Sequence, residues 1–365
     1  MTDTPTAIPA AKVLIGDDER AAVDRVLRSG MIAQGPEVAA FEREFAADLV
    51  GGRTCVAVSS GTAGQHLGLL AAGVGPGQEV IVPSFTFAAT ANSVALTGAR
   101  PVFADIDPVT YTLDPAAVEA AITQRTVGVM PVHLYGQPAD MTRLGELADR
   151  HGIAVFEDAA QAHGATWDGR PVGTFGTFGM FSLYPSKNMT SGEGGMVACA
   201  SEQVARMVRL LRNQGMERRY ENEVVGFNCR MTDIHAAIGR VQLTKLAGWT
   251  KQRQENAAFL DANLRGVGVP AVAPGATHVY HQYTVRVPDD RDGFARALAE
   301  EYGVGSGVYY PIPNHRLPSF GLSLDLPETE RAAAEVLSLP VHPSLTRAEL
   351  DRIVVGVDNL SRAGT

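Results

Sequence analysis

The chain has 365 residues, of which 45% are hydrophobic and 19% charged, and its net charge is −9. The length suggests about two domains with a large core, and the composition is typical of a soluble globular enzyme. The negative charge argues against nucleic-acid binding, and the three cysteines, which have no paired spacing, predict neither a disulfide framework nor a zinc site.

The first residues, 1–6, lack the basic region and apolar run of a signal peptide, so none is predicted. Residues 80–99 carry no charge, but Pro83 and several polar residues interrupt the run. This pattern predicts a buried strand and helix rather than a membrane span. We therefore expect a cytoplasmic protein with no membrane partner.

Two helices are predicted before residue 50. Residues 17–28 begin with acids and end with bases, which suits a helix dipole, and Gly30 is placed to cap the C-terminus. Pro36 fits the first position of a second helix. The apolar residues of that helix recur at helical spacing: Val38, Phe41, Phe45 and Leu49.

From Thr54 onward, short apolar runs alternate with helical patterns. The apolar runs predict strands at 55–58, 80–82, 101–104, 127–132, 153–156, 180–184 and 196–200. The helical patterns lie near 63–72, 86–97, 114–122 and 139–150. This alternation predicts a mostly parallel sheet with helices on both faces.

The C-terminal part predicts a different organisation. Two helices are expected from residue 232 or 233 to about 246 and from 250 to 264, and a composition shift at 266–275 marks a domain boundary. Beyond it, strands are predicted at 282–287 and 304–309, and helices at 292–301, 328–337 and 346–360. The predicted fold is α/β: a large three-layer α/β/α domain, 1–265, followed by a smaller α+β domain, 266–365. The first 20 or so residues are expected to pack with one domain or the other.

One lysine follows the apolar run at 180–184. Pro185 is expected to end that strand, so that Lys187 lies in a turn. Gly192, Gly194 and Gly195 follow and let the backbone approach a bulky ligand. A lysine after a strand is usually only a solvated charge, but a buried lysine forms Schiff bases with carbonyl compounds.

Other polar clusters follow strands, where ligands of parallel sheets bind. Residues 59–63 open a helix and are either a phosphate site or a simple N-cap. Glu157 and Asp158 follow 153–156, and a carboxylate there is a candidate buried acid, metal ligand or partner of a ring nitrogen, although no ligand spacing supports a metal. Phe85 and Phe87 follow 80–82, and an aromatic there is either a core residue or a stacking surface for a flat ligand. Together with Lys187 these features describe a site for pyridoxal phosphate (PLP), whose chemistry needs each of them.

The chain also resembles a known family, the DegT/DnrJ/StrS sugar aminotransferases of the aspartate-aminotransferase fold (fold-type I). The resemblance runs from about residue 15 to the C-terminus. The motifs that carry it, in order, are Ser60-Gly-Thr, Val82-Pro-Ser-Phe-Thr-Phe, Pro131-Val-His-Leu-Tyr-Gly, Glu157-Asp-Ala-Ala-Gln, Phe181-Ser-Leu-Tyr-Pro-Ser-Lys, Gly192-Glu-Gly-Gly and Gly226-Phe-Asn-Cys-Arg-Met-Thr-Asp.

The resemblance implies a role for each matching residue. Lys187 is the Schiff-base lysine and proton shuttle, and Asp158 pairs with the pyridine nitrogen. Gln161 contacts the phenolic oxygen of the ring, and Phe87 stacks on the ring. The phosphate is bound by Gly61, Thr62, Ser182 and, from a neighbouring subunit, Asn228. His315 lies near the sugar or the amino donor, and the active site lies at a homodimer interface.

Five arginines also cluster between residues 206 and 219. Arg206, Arg209 and Arg212 are interpreted as a solvated helix face. Arg218 and Arg219 lie in a loop that, in similar enzymes, runs toward the neighbouring subunit's site. One of the two is predicted to contact a substrate pyrophosphate, because the planar guanidinium suits phosphate.

The resulting hypothesis is a PLP-dependent aminotransferase that converts a nucleotide-linked keto-sugar to an amino sugar. Glutamate or glutamine would supply the nitrogen in a ping-pong cycle through PMP. The alternatives are amination of a cyclitol ketone, a sugar dehydratase and a non-catalytic regulator. Lys187 counts against the dehydratase, whose lysine is replaced by histidine, and the complete set of site residues counts against the regulator. The form of residues 228–233 favours reaction at C4 over C3.

Overall fold

The computed structural model describes residues 7–363, so residues 1–6, where no signal peptide is expected, lie outside the described part. The helices are α1 Asp17–Ser29, α2 Pro36–Leu49, α3 Gly61–Ala71, α4 Ala89–Leu96, α5 Pro115–Ala121, α6 Met141–His151, α7 Glu202–Arg212, α8 Asp233–Asn263, α9 Arg291–Tyr302, α10 Pro327–Glu335 and α11 Arg347–Ala363. The strands are β1 Thr54–Val58, β2 Glu79–Pro83, β3 Arg100–Ala104, β4 Thr126–Val129, β5 Ala154–Asp158, β6 Thr166–Trp167, β7 Arg170–Pro171, β8 Phe178–Ser182, β9 Gly195–Cys199, β10 Ala276–Thr277, β11 Tyr283–Arg286 and β12 Val336–Leu339. Within residues 7–363, no helix combines the length and apolarity needed to cross a membrane.

The helix boundaries follow the predicted capping residues. Gly30 caps α1 in the left-handed conformation, with φ 74°, and Pro36 is the first residue of α2. Ser60 caps α3, where its hydroxyl accepts a hydrogen bond from the Ala63 amide at 3.1 Å. Thr232 caps α8 in the same way through the amide of His235.

Seven strands form the central sheet, in the order β1-β9-β8-β5-β4-β2-β3. The pairs from β8 to β3 are parallel, whereas β9 is antiparallel to both β1 and β8. The sheet is thus mostly parallel, as predicted. The antiparallel strand β9 is the neighbour of β8 in the sheet, and a single loop, residues 183–194, joins the two strands.

Helices cover both faces of this sheet. Alternate residues of each strand face opposite layers: Val56 and Val58 pack with α3 and α7, while Cys55 and Ala57 pack with α2 and α8. The second face continues beneath α5 and α6. The predicted α/β fold with three layers is confirmed.

The C-terminal part has its own apolar cluster. Strands β11 and β12 pair in an antiparallel ladder and pack with α9 and α11. Ile8 joins this cluster, and its amide donates to Gly303 at 2.8 Å. The division at residue 265 stays a prediction.

Five predicted elements differ in the structure. Strand β8 ends at Ser182, before Tyr184 and Pro185, because the chain turns into the lysine loop there. The helices predicted at 232–246 and 250–264 are one helix, α8, which continues through Gly248. Residues 304–309 form isolated bridges only, and the end of the predicted helix 328–337 is strand β12.

Candidate active site

A cavity of about 460 Å³ opens at the carboxyl ends of the parallel strands. The loops after β2, β5 and β8 and the first turn of α3 form most of its wall. Two short pieces of the later chain, residues 281–282 and 309–310, complete it. The cavity brings together seven of the residues predicted from sequence: Gly61, Thr62, Phe87, Asp158, Gln161, Ser182 and Lys187.

Lys187 lies on the loop between β8 and β9. The loop is closed at its base by the Leu183 amide, which donates to the Gly194 carbonyl at 2.9 Å. Burial of the amine lowers the pKa of Lys187 to about 8, and the negative charge of Asp158 opposes this shift. With a pKa of about 8, about one amine in ten is uncharged at pH 7, compared with about one in three thousand at a pKa of 10.5, and the uncharged amine is the nucleophile.

This pKa predicts how the apoenzyme responds to pH. Labelling of Lys187 by trinitrobenzenesulfonate should rise through about pH 8, because the amine loses its proton there instead of near 10.5. From about pH 8 to 10.5 the unfolded chain holds the extra proton, so this amine makes the free energy of unfolding increase with pH in that window. Peptide mass spectrometry measures the labelling, with exposed Lys251 as internal reference. A Lys187 profile parallel to that of Lys251 would contradict the lowered pKa.

Asp158 is the last residue of β5, and its carboxylate faces the cavity while being 4% exposed. Oδ2 accepts hydrogen bonds from Gln65 Nε2 and from Thr90 Oγ1 at 2.7 Å. Oδ1 accepts from the Ala160 amide at 3.1 Å. Three donors from three segments therefore fix the orientation of this carboxylate.

The neighbouring carboxylate, Glu157, points to the opposite side of the strand. It accepts hydrogen bonds from the amides of Gly173, Phe175 and Gly176 at 2.6 to 2.9 Å and contacts His133 Nε2 at 3.2 Å. It does not line the cavity. Because residues alternate along a strand, Asp158 faces the site and Glu157 organises the 173–176 loop.

Gln161 joins two aromatic residues of the wall. Its Oε1 accepts from the Tyr135 amide at 2.7 Å, and its Nε2 donates to the Tyr310 hydroxyl at 3.0 Å. Burial raises the pKa of Tyr310, so its hydroxyl stays protonated at neutral pH. Phe87 is 58% exposed at the mouth, and its ring centroid lies 6.0 Å from that of Tyr310.

The first turn of α3 forms the opposite end of the cavity. The amides of Gly61 and Thr62 are at the start of the helix, where backbone N–H groups have no partner within the helix. A Cβ at Gly61 would lie 3.0 Å from Ser182 Cβ and 3.2 Å from Ser182 Oγ. This glycine therefore lets the helix N-terminus and the serine hydroxyl converge on one point, which suits an anion.

These residues fit PLP. The glycine-lined helix N-terminus would hold the phosphate, and Asp158 would meet the pyridine nitrogen. Gln161 and Phe87 would contact the ring, and Lys187 would reach the aldehyde carbon. Each group is a residue that PLP chemistry requires at that end of the cofactor.

Four predicted site residues lie outside this cavity. Asn228, Arg218 and Arg219 are exposed in the segment between α7 and α8. Arg218 lies 3.9 Å from Glu221, and Arg219 stacks on the Tyr220 ring. His315 is fully buried between Ser84 and Glu330, so the structure does not bring it to the cavity wall.

The interpretation of Arg212 as part of a solvated helix face is wrong. Its side chain is 6% exposed, and Nη1 contacts Glu42 at 2.6 Å and the Ala57 carbonyl. Arg206 and Arg209 do lie toward solvent, in ion pairs with acids of the same region. Arg206, Arg209 and Arg212 carry the same charge, so charge alone could not distinguish the exposed arginines from the buried one. Arg212 is buried because it lies, with Leu211, where α7 packs against β1 and α2.

Several lining residues were not found from sequence. Gln65 and Thr90 hold Asp158 from the first turns of α3 and α4, and their polar side chains carry no motif. Tyr135, His281 and Tyr310 enter from loops far apart in the chain. Of these three residues, only Tyr135 lies in one of the motifs that carry the family resemblance, Pro131-Val-His-Leu-Tyr-Gly.

Comparisons with known proteins show similarity over nearly the whole chain. The model of the DegT/DnrJ/EryC1/StrS aminotransferase family matches residues 13–358. A pleiotropic regulatory protein of Geobacillus stearothermophilus is 43% identical over 343 residues, 91% of each chain. The dTDP-3-amino-3,4,6-trideoxy-alpha-D-glucose transaminase of Streptomyces venezuelae is 42% identical over 345 residues, 92% of this chain and 90% of that protein.

Solved structures give the same result and add the cofactor. DesV of S. venezuelae has a TM-score of 0.92 and 40% identity, with 97% of this chain and 99% of DesV covered. Ntda of Bacillus subtilis, solved with bound PMP, has a TM-score of 0.90 and 32% identity, with coverage of 99% and 86%. A Streptococcus pneumoniae protein in its PLP form has a TM-score of 0.93 and 28% identity, with 98% of this chain and 100% of that protein covered. The chain therefore belongs to the DegT/DnrJ/EryC1/StrS aminotransferase family and is a PLP-dependent aminotransferase.

Proposed function

We propose that this enzyme aminates the ketone of a nucleotide-linked keto-sugar, with glutamate or glutamine as donor, in a ping-pong cycle. The observation that carries the proposal is a single cavity with an amine, Lys187, a fixed carboxylate, Asp158, and a helix N-terminus beside Ser182. The dTDP-linked amino sugar in the name of the Streptomyces relative supports the substrate class. The preference for C4 stays a prediction.

When bound, PLP supplies an aldehyde that carries the amino group and a ring that accepts electrons. Lys187 moves a proton between the donor carbon and the cofactor, and a positioned base of this kind contributes about 10²–10⁴-fold in rate. A pKa of about 8 suits a group that both accepts and returns a proton near neutral pH. Asp158, held by Gln65, Thr90 and the Ala160 amide, keeps the pyridine nitrogen protonated.

The substrates carry more negative charge than this cavity can neutralise. Within residues 7–363, Lys187 is the one lysine or arginine among its lining residues, whereas the donor has carboxylates and the sugar a diphosphate. We infer that a second copy supplies the missing groups. The segment that contains Arg218, Arg219 and Asn228 would supply these groups. It also exposes apolar residues suited to an interface: Tyr220, Val225 and Phe227.

Replacing Arg218 and Arg219 together by alanine should raise KM for the nucleotide sugar and leave the half-reaction with the amino donor unchanged. The expected cause is loss of a charged contact to the diphosphate. Stopped-flow measurement of each half-reaction, with exposed Arg143→Ala as control, separates the two effects. An equal loss in both half-reactions would indicate a structural loop, and an unchanged KM would favour a substrate without a diphosphate.

The proposed function is tested by visible absorbance of the purified holoenzyme. The cofactor band should bleach with glutamate or glutamine and return with a keto-sugar nucleotide. The panel should contain 3-keto and 4-keto nucleotide sugars and cyclitol ketones, tested on the PMP-loaded enzyme. If only cyclitol ketones restore the band, the substrate is a cyclitol ketone and not a nucleotide sugar. If no donor bleaches the band, a non-catalytic regulator is favoured.

A further inference from the structure

A buried hydrogen-bond network joins the C-terminal segment 314–316 to the loop after β2. Ser84, Asn314 and His315 are each at most 1% exposed. The Asn314 amide donates to the Ser84 carbonyl at 2.9 Å, and Asn314 Nδ2 donates to the Thr86 carbonyl at 2.9 Å. The His315 amide donates to Ser84 Oγ at 3.1 Å. Both backbone and side chains therefore attach this segment to the loop.

The ring of His315 completes the network. Ser84 Oγ lies 2.7 Å from Nδ1, and Glu330 Oε1 lies 3.2 Å from Nε2. Because the Glu330 carboxylate can only accept, Nε2 carries the ring hydrogen and donates to it; Nδ1 of the neutral ring then accepts the hydrogen of the Ser84 hydroxyl. Both ring nitrogens are thus occupied within the protein, and neither is available to a substrate.

Ser84, His315 and Glu330 have the residue types of a hydrolytic triad, but the geometry does not permit that chemistry. Ser84 and His315 are 0% exposed, and neither lines the cavity. A nucleophile must reach a substrate atom, and Ser84 Oγ is enclosed. The network therefore acts through the residues around it.

Those neighbours are residues of the cavity wall. Thr86 and Phe87 lie two and three residues after Ser84, and Tyr310 precedes Asn314 by four residues; all three line the cavity. Helix α10, which carries Glu330, is itself fixed beside the site, since Asp105 accepts the amides of Glu328 and Thr329 at 3.0 and 2.8 Å. The network thus ties the two segments that carry the facing rings of Phe87 and Tyr310.

We propose that Ser84 and His315 are positioning residues whose buried contact sets the spacing of Phe87 and Tyr310 around the cofactor ring. The proposal rests on the proposed role of Phe87 at PLP. In this proposal His315 acts on the site indirectly, through the cavity wall, whereas the resemblance implied that it lies near the sugar or the amino donor. Removing the Ser84–His315 contact lets the segments that carry Phe87 and Tyr310 move, so the bound cofactor loses its fixed orientation.

Two substitutions of His315 separate its two contacts. His315→Asn keeps an acceptor near the position of Nδ1 and so retains the Ser84 contact. His315→Gln keeps a donor near Nε2 and retains only the Glu330 contact. We expect His315→Asn to stay close to wild type, and His315→Gln and Ser84→Ala each to weaken PLP affinity by roughly tenfold.

The measurements are titration of apoenzyme with PLP and circular dichroism of the visible band of the bound cofactor. His342→Gln is the matched control for His315→Gln, because His342 is also buried, with Nδ1 3.0 Å from the hydroxyl of Ser344, but does not line the cavity. Far-ultraviolet circular dichroism verifies folding. We expect a reduced visible signal in His315→Gln and Ser84→Ala only.

Two outcomes would overturn the proposal. One is an unchanged visible signal in His315→Gln and Ser84→Ala. The other is a raised KM for the sugar in His315→Asn with an unchanged signal, which would mean direct substrate contact. A wild-type enzyme that binds no PLP would instead refute the proposed function, so the two failures are distinguishable.

Discussion

Lys187→Ala is expected to abolish transamination while the protein stays folded and still binds PLP. The amine that moves the proton is lost, and proton transfer by a positioned base alone contributes about 10²–10⁴-fold. The helix N-terminus, Ser182 and Phe87 remain to hold the cofactor. Single-turnover absorbance with the amino donor measures the loss.

Lys251→Ala is the matched control for this substitution, because its amine is exposed and far from the cavity wall. It should keep wild-type turnover. Turnover of Lys187→Ala within tenfold of wild type would show that the catalytic lysine has been assigned to the wrong residue.

Asp158→Asn should lower kcat by about 10²–10³-fold, the range found when one preorganised electrostatic group is removed from a site. The amide keeps the shape of the carboxylate but cannot hold a proton on the pyridine nitrogen. The interaction matters most when charge develops in the transition state, so kcat should fall more than KM rises. Steady-state kinetics measure this division.

The adjacent carboxylate provides an internal comparison. Glu157→Gln removes a charge of equal size one residue away, but Glu157 faces the amides of the 173–176 loop. It should lower thermal stability and affect kcat far less than Asp158→Asn. If Asp158→Asn raises only KM, Asp158 is a binding residue without the proposed electronic role.

The sequence predicted most of the central sheet, because each strand there is a short apolar run, and helical patterns separate the first five of these runs. It failed where tertiary contacts override local preference. Two helices were predicted where α8 is continuous. The residues between them include Gly248, and a single glycine in a helix costs only about 1 kcal/mol, which packing over the rest of the helix offsets. From sequence, the segment of β12 is predicted as the end of a helix, and its pairing with β11 makes it a strand.

The site was predictable to the extent that its residues follow strands. Asp158 and Lys187 occur directly after apolar runs, and Gly61 opens a helix after one. Thr90 could not be found in this way, because it contacts Asp158 across 68 residues of chain from within a helix. His315 was found by resemblance, but its place between Ser84 and Glu330 depends on packing that no local pattern encodes.

The continuous helix α8 has a mechanical consequence. Its 31 residues make a rod about 46 Å long. Near one end, Asp233 accepts the amides of Gly35 and Val38, and toward the other, Asn256 donates to the His342 carbonyl at 3.1 Å. A swing of the C-terminal part about a hinge near residue 248 would have to bend this rod. The continuous helix therefore opposes opening of the cavity by such a swing.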